Sequence, residues 1–444
     1  MNQTLIDTPS ILHHLKIKSL NEMQIKANDT VQLHSEILLL SDTGSGKTLA
    51  FLLPLIQSID INRLHQTQGL ILVPSRELAL QIESVLKQIQ PGCKITCCYG
   101  GHKREIEENN LIQAPTIIIA TAGRMADHLR RGNINTNSIS FLVLDEFDKI
   151  LELDFQEEMQ YIFSQLPSVK IKMLTSATQA IEIPEYVGIK NAHILNFLTE
   201  ANTSDSVKLS IKRIRSENTD KIDALFILLC NLKDTSSIIF CNHRDAVERT
   251  HQLLTEKGIL NVFYHGGMEQ YERETALCKF KNGSSNILVT TDLASRGLDI
   301  ANVRSVIHYH LPHTEDAFTH RNGRTARMDA TGSVFVIIGP DEEVPEYILN
   351  HSEITELSAK YELPEKPKWS TLFIAAGKKD KINKIDIVGF LSQKGKLKKD
   401  EIGLIDVKDF SAFVAIRKSK IGMVIEAVKN EKIKNKKVKI AIAK

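Results

Sequence analysis

The chain has 444 residues, 42% hydrophobic and 25% charged, with a formal net charge of +2. That length exceeds what one hydrophobic core serves and divides into two or three domains. No uncharged apolar run reaches the ~18 residues of a membrane span, and the opening "MNQTLIDTPS" lacks a basic-then-apolar leader pattern, so the chain reads as cytoplasmic with no membrane partner.

The first element with chemistry is the apolar run "EILLLSD" (36–42), which feeds "SDTGSGKT" (41–48) and then an apolar helical run, "LAFLLPLI". Strand, glycine loop and helix in that order is the setting of a phosphate-binding P-loop. Gly44 and Gly46 leave room for backbone N–H groups to converge on phosphate oxygens. Lys47 is placed to reach the β- and γ-phosphates, and the Thr48 hydroxyl to ligate Mg²⁺. The loop is completed by Thr43, Ser45 and Ser41, the last standing where the pattern GxxxxGK[ST] opens with glycine.

Farther on come "QGLILVPS" (68–75), "PTIIIAT" (115–121), "SFLVLDE" (140–146) and "IKMLTSAT" (171–178). Cys93, Cys97 and Cys98 have neither CxxC spacing nor a matched histidine pair, and read as buried thiols on a strand. Continuous apolar strands alternating with helical stretches indicate a parallel α/β sheet. The fourth strand ends in Asp145, Glu146, Phe147 and Asp148. One acid after a strand is explained by helix capping. Two acids downstream of a P-loop are better explained by ATP chemistry, with Asp145 holding Mg²⁺ through its water shell and Glu146 polarising the attacking water.

The same theme restarts with "SSIIFCN" (236–242), "NVFYHGG" (261–267), "NILVTTD" (286–292), "VRSVIHY" (303–309) and "GSVFVII" (332–338). Two α/β domains in tandem follow, residues 1–202 and 203–360. The stretch "YELPEKPKW" (361–369) has the prolines and charges of a linker. Residues 370–444 then read β-α-β-β-α-β, a small ferredoxin-like module of the RRM type. This last segment carries 18 lysines and one arginine against eight acids, a net of +11 that leaves −9 for the body. A basic module on an acidic body points to a polyanion partner.

"SDTGSGKT" with "LDEFD" resembles the DEAD-box RNA helicases, and the family's other motifs recur in order over residues 10–345. Among them are "PSRELA", Gly100–Gly101, "TAGR", "SAT", "IFCN", "MEQYER", "TTDLASRGLD" and "HRNGRTAR". The resemblance implies two tandem RecA-like parallel-sheet domains and an ATP-dependent RNA helicase, which is an RNA-dependent ATPase. It implies that Gln24 reads adenine, that Gly297 and Asp299 contact the nucleotide, and that Arg324 and Arg327 act as arginine fingers toward the γ-phosphate. Arg76, Gly101, Thr121, Arg124, Arg273 and Thr291 line the RNA path, mostly on phosphates and 2′-hydroxyls. Asp148, Ser176, Thr178 and His320 couple hydrolysis to strand separation. The implied mechanism is closure by ATP and RNA together, which bends a strand until a short duplex cannot persist, followed by reopening on hydrolysis.

Departures from the family pattern are Phe147 for alanine, Asn322 for isoleucine, Ala326 for glycine, and Ile17 and Glu22 where an aromatic and a proline usually flank the glutamine. None removes a catalytic charge; the last two weaken base stacking and point to relaxed nucleotide selectivity. The C-terminal segment resembles the RNA-binding domain of the DbpA-like subfamily. That likeness implies recognition of a hairpin in large-subunit (23S) ribosomal RNA, on pre-50S particles during ribosome assembly, by a monomer. Aligned on the RNP1 pattern, "DFSAFVAI" leaves Phe413 as the sole ring in a stacking place, so recognition leans on lysines such as Lys378, Lys379 and Lys381. Two rivals remain at this point: an RNA-binding assembly factor or chaperone with weak turnover, and a DNA helicase on the same engine.

Overall fold

The computed structural model describes residues 5–42, 44–102, 104–152, 155–178, 182–198, 209–233, 235–292, 303–325, 332–358 and 361–443. The described residues divide into two compact units, one over 5–198 and one over 209–443. Thr43, Gly297, Asp299, Ala326 and Arg327, and the domain boundary expected between residues 202 and 203, lie outside the described residues.

The first unit is built on seven parallel strands: β1 (Glu36–Ser41), β2 (Gly69–Val73), β3 (Ile95–Cys98), β4 (Ile117–Thr121), β5 (Phe141–Leu144), β6 (Ile171–Ser176) and β7 (His193–Phe197). Their order across the sheet is β3-β4-β2-β5-β6-β1-β7. Central strands such as β2 and β5 are buried along their whole length, because helices cover both faces of a parallel sheet. Alternate residues feed two cores: Ile71 and Val143 pack with the P-loop helix on one side, and Leu72, Leu144 and Phe147 pack on the other. Adjacent β1 and β6 are flanked by β5, so the turns after β1 and β5 open at the same, carboxyl-terminal edge of the sheet.

The second unit repeats the plan with β8 (Ser210–Arg215), β9 (Ser237–Phe240), β10 (Val262–Tyr264), β11 (Ile287–Thr290), β12 (Ser305–His308), β13 (Ser333–Ile338) and β14 (Ser352–Ile354). Their order is β10-β11-β9-β12-β13-β8-β14, again all parallel. The apolar runs located five strands in each sheet; β3 was expected only as the strand carrying the cysteines, and β7, β8 and β14 escaped altogether. β7 and β14 are edge strands, and β8, "SIKRIR", interleaves its apolar residues with charges. Such strands carry polar side chains and lack the continuous apolar signature of a sheet centre.

The same unit contains a C-terminal antiparallel sheet of β15 (Trp369–Ile374), β16 (Ile402–Val407), β17 (Ala412–Arg417) and, after the short ribbon β18 (Lys432–Ile433) and β19 (Lys436–Lys437), β20 (Ile440–Ile442). Strand order β16-β17-β15-β20 and helices Lys384–Gln393 and Ile421–Val428 complete the β-α-β-β-α-β pattern. The helices cover one face of this sheet. Its other face sits on the helix Gln270–Lys281 of the preceding α/β domain. There Cys278, Phe413 and Ala443 form a small buried core with Phe373 against it, and Tyr271 meets the Phe373 ring edge-on at 5.3 Å. Polar bonds rim the contact: Asn282 donates to Thr371 at 2.9 Å and the Cys278 thiol to Asp406 at 3.5 Å. The stacking role expected of Phe413 is thereby corrected. The ring is 1% exposed, and protein occupies the face on which a base would stack.

The segment 361–369 has no helix before β15 begins. It lies along the second α/β domain, with Tyr361 edge-on to Phe226 at 5.5 Å and Pro364 and Pro367 lining a small cavity with Lys233, Ile259 and Leu260. No described helix is long and apolar enough to cross a membrane.

Candidate active site and RNA-contact surface

β1 ends at Ser41 and the helix Lys47–Gln57 begins six residues later. Gly44 (φ 89°) and Gly46 (φ 94°) take the left-handed conformation that makes this turn possible. Gly46 caps the helix without a side chain, which leaves first-turn N–H groups and the positive end of the helix dipole for an anion. A Cβ at Gly46 would stand 2.6 Å from Gln24 Nε2. Gln24 is buried, closes a capping box with Asn21 (3.0 and 2.9 Å) and donates through Nε2 to the Gly46 carbonyl at 3.2 Å. Asn21 donates to the Ser45 carbonyl at 2.9 Å. The expected adenine reader is therefore wired into the phosphate loop, and Asn21, which no sequence motif marked, shares that task. Lys47 folds back on the loop, donating to the Ser41 carbonyl at 2.5 Å, and the Ser41 hydroxyl bonds that of Ser45.

After β5 the chain presents Asp145, 4% exposed, whose Oδ1 accepts from the Thr175 hydroxyl at 2.5 Å and the Glu146 amide at 3.2 Å. Glu146 itself has φ 51°. A non-glycine residue in that region stores about 1–3 kcal/mol, held here by the surrounding bonds. One of them runs from its amide to Thr175 Oγ1 at 3.1 Å. Phe147 is fully buried in the core below the site, so the ring is packing and leaves the chemistry to the acids around it. Asp148 is buried 3.5 Å from Lys149 Nζ. Burial pushes the Lys47 ammonium below its usual range against the pull of Asp145, Glu146, Asp148 and Asp42, and pushes the Asp145 carboxyl upward. Ser176 and Thr178 close a local turn, Thr178 N donating to Ser176 Oγ at 2.9 Å.

The residues expected on the RNA path of the first unit gather at one place. The Arg76 guanidinium lies 4.7 Å over the Tyr99 ring and reaches the carbonyls of Gly100 and Gly101 at 3.4 and 3.5 Å. Thr121 caps the helix Ala122–Arg130 without using its hydroxyl, and Arg124 emerges from that helix's first turn.

In the second unit, Arg273 donates to the Tyr264 hydroxyl at 2.9 Å and lies 5.2 Å over its ring. Thr291 follows β11, half-buried. His320 and Arg324 are buried at the end of the helix Glu315–Asn322. Arg321 lies between them inside "HRNGRTAR", yet its role was not legible in the sequence. It is fully buried and donates to both Asp292 oxygens (2.5 and 2.9 Å), to Asn242 (2.8 Å) and to the His310 carbonyl (3.0 Å). The departure at Asn322 has a partner in the fold: its Oδ1 meets His308 Nε2 at 2.9 Å, both buried.

Three family models match the chain: DEAD/DEAH box helicase over residues 21–186, helicase conserved C-terminal domain over 220–329, and DbpA RNA binding domain over 371–442. ATP-dependent RNA helicase DbpA of Escherichia coli (strain K12) is 30% identical over 99% of this chain and 100% of that protein. The chain belongs to the DbpA group of DEAD-box ATP-dependent RNA helicases.

The DbpA of Bacillus subtilis (strain 168) is likewise 30% identical over 91% of each chain. Among solved structures, S. cerevisiae Dbp5 bound to RNA and ADP BeF3 matches with a TM-score of 0.67 at 25% identity, over 78% of this chain and 90% of that one. Mss116p bound to ssRNA and AMP-PNP matches at 0.69 and 25%, over 81% and 80%. The helicase thus couples ATP to RNA. Its C-terminal domain displays Lys378, Lys379 and Lys381 on an exposed turn whose amides pair with the carbonyls of Lys408 and Asp409. Lys434 of the neighbouring ribbon donates to the Lys381 carbonyl at 2.8 Å, and Lys436 pairs with Asp380 at 3.1 Å. Ile17 is exposed and Glu22 pairs with Lys26 at 2.6 Å.

Proposed function

We propose that this helicase unwinds or remodels short duplexes within large-subunit (23S) ribosomal RNA on pre-50S particles, during ribosome assembly, as a monomer, and that its C-terminal domain is the address. The observation that carries the reading is the likeness of residues 371–442 to a DbpA RNA binding domain, joined to the basic turn and ribbon at one place on that domain. With the sheet face buried on the helicase core, RNA is met by lysines and loop shape.

In this reading the loop 41–48 cradles the phosphates of ATP and Lys47 leaves Ser41 to meet them. Glu146 orients and polarises water, while Arg324 and Arg327 supply guanidinium charge to the γ-phosphate. Mg²⁺ suits the donors. Asp145 Oδ1 is committed to Thr175 and Glu146, whereas Oδ2 carries no hydrogen bond among the described residues. Carboxylate and hydroxyl oxygens are the ligands this hard cation takes. Asp145 and Thr48 would hold the ion, which when bound offsets phosphate charge. Arg76, Gly101, Thr121 and Arg124, with Arg273 and Thr291, contact the RNA backbone without choosing sequence.

The test is crosslinking of the full chain to cellular RNA, mapped beside a Lys378→Glu, Lys379→Glu, Lys381→Glu variant. A dominant 23S peak that disappears in the variant is the expected result. A map spread over unrelated RNAs, or a peak indifferent to the charge reversal, removes the address.

A further inference from the structure

Glu107 lies on the helix Arg104–Leu111 and is fully buried, with no motif in the sequence to mark it. Its Oε1 accepts from the Tyr99 amide at 2.8 Å, and His102 Nε2 lies 3.0 Å from it. Its Oε2 accepts from Arg124 Nη1 at 3.0 Å and from His128 Nε2 at 2.7 Å. Three hydrogen bonds and the neighbouring His102 ring occupy most of the four or so lone-pair sites that a carboxylate offers. The partners are not scattered. Tyr99 and His102 bracket the Gly100–Gly101 turn on either side, and Arg124 belongs to "TAGR".

A second layer rests on the first. The His102 ring meets the Tyr99 ring edge-on at 4.6 Å, and Arg76 lies on Tyr99. Gly101 has φ 92°, and a Cβ there would stand 2.5 Å from Arg76 Nη1. One buried carboxylate thus sets the turn, and the turn seats Arg76.

Cys98, Glu107 and His128 also hold their ligand atoms within 4.8 Å of one another, which invites a metal. The electrostatics argue otherwise. The Arg124 guanidinium already occupies the carboxylate and would lie against any cation. Asn133 Nδ2 donates to His128 Nδ1 at 3.0 Å, which puts the ring proton on Nε2 and turns that nitrogen into a donor. Burial also holds the Cys98 thiol protonated.

We propose that Glu107 is the positioning residue of the first unit's RNA surface, holding Arg124 and both flanks of the Gly100–Gly101 turn in the geometry that meets a polynucleotide backbone. An arginine already fixed at one end loses less side-chain freedom when its remaining N–H groups meet a phosphate. The inference rests on the reading of Arg76, Gly101 and Arg124 as RNA contacts, and its test separates the two.

ATPase of the full chain is measured against polyuridylate concentration for the wild type, Glu107→Gln, Arg124→Ala and the double variant. Glutamine keeps the volume but has one acceptor oxygen for all these donors. Glu107→Gln should raise the polyuridylate concentration at half-maximal stimulation about tenfold, the scale of one charge-assisted bond. It should leave kcat at saturating RNA and KM for ATP within about twofold, since neither reports the RNA surface. The double variant should be weaker than Arg124→Ala alone by less than the full Glu107→Gln effect, because part of that effect acts through the same guanidinium and the rest through the turn that seats Arg76. An unchanged half-saturation in Glu107→Gln beside a weakened Arg124→Ala overturns the proposal and spares the RNA assignment. Unchanged half-saturation in both overturns the assignment first. Unfolding of Glu107→Gln below assay temperature, or equal loss in kcat and KM, makes Glu107 a stability residue and also overturns the proposal.

Discussion

The sheets of the two units share one strand order, yet they use the same positions for different ends. Each sends its first strand into a turn and a helix with a lysine at the helix start: Lys47 after β1 and Lys221 after β8. Lys47 leans on one loop carbonyl beneath a ring of acids. Lys221 is consumed by the protein, donating to the Ile337 carbonyl at 3.0 Å and to both Glu342 oxygens at 2.8 Å. After the fifth strand the first sheet offers Asp145 and Glu146, the second Tyr309 and His310, with the Tyr309 hydroxyl donating to Asp220 at 3.1 Å. A common scaffold supplies equivalent places at the ends of its strands, and only loop chemistry sets apart the one proposed to take ATP. The glycines decide it. Between β1 and its helix the turn passes through two left-handed glycines, and between β8 and its helix there are none.

The widest separation should come from Glu146. Glu146→Gln is expected to lower RNA-stimulated ATPase about 10²–10⁴-fold, read by phosphate release, while ATP and RNA binding persist; residual turnover above a tenth of wild type would unseat this acid. Lys47→Ala and Lys221→Ala then set the two lysines against each other. Lys47→Ala should abolish turnover at nearly unchanged stability. Lys221→Ala should cost about 2 kcal/mol through a half-solvated Glu342 left unpaired, seen by denaturant titration, with kcat within about twofold. Loss of kcat in Lys221→Ala would mean the second sheet takes part in the chemistry.

Acid should find the second sheet first. Burial, with Arg321 beside it, lowers His308 to about 3, and burial with Lys221 lowers His310 to about 4, from 6.5 for an unfolded chain. Between those values the unfolded chain binds protons that the folded chain refuses. Stability is therefore full above about pH 6.5 and falls as pH drops, by about 1.4 kcal/mol per pH unit for fully buried His308. The share of His310 is smaller because solvent screens it. Full-chain unfolding followed from pH 7 to 4 should show this slope, and His308→Asn should flatten it; an equal slope in the variant would place the acid sensitivity elsewhere. The smallest effect concerns the base. With Ile17 exposed and Glu22 paired to Lys26, turnover of GTP should come within about threefold of ATP. A strict requirement for ATP would show that Gln24 suffices for selectivity.

Much of this was legible in the chain because its signals are local. "EILLLSDTGSGKT" states strand, turn and helix within thirteen residues, and "SFLVLDEFD" states a buried strand with its acids. Runs of aliphatic residues likewise marked the strands at the centre of both sheets, whereas β7, β8 and β14 carry too many polar side chains to be seen this way. Phe413 shows the opposite error. The pattern of β17 exposes that ring on a sheet face, and nothing nearby in the sequence reports that Cys278, 135 positions earlier, covers it. Phe147 and Asn322 looked like intrusions into motifs, and the fold gives one a core and the other a histidine.

The sequence alone determined that a phosphate loop and its acids exist, that two parallel sheets follow one another, and that a basic antiparallel domain closes the order. Each depends on residue types a few positions apart, which backbone sterics and periodicity translate directly into shape. Only the tertiary structure decided that the basic domain spends its sheet face on the helicase core, that buried Lys221 is tied to Glu342 while Lys47 faces the phosphate loop, and that Glu107 collects Arg124 and both flanks of a glycine turn. Those outcomes come from burial, which confers energy on pairs by their distance in space and takes no account of their separation along the chain.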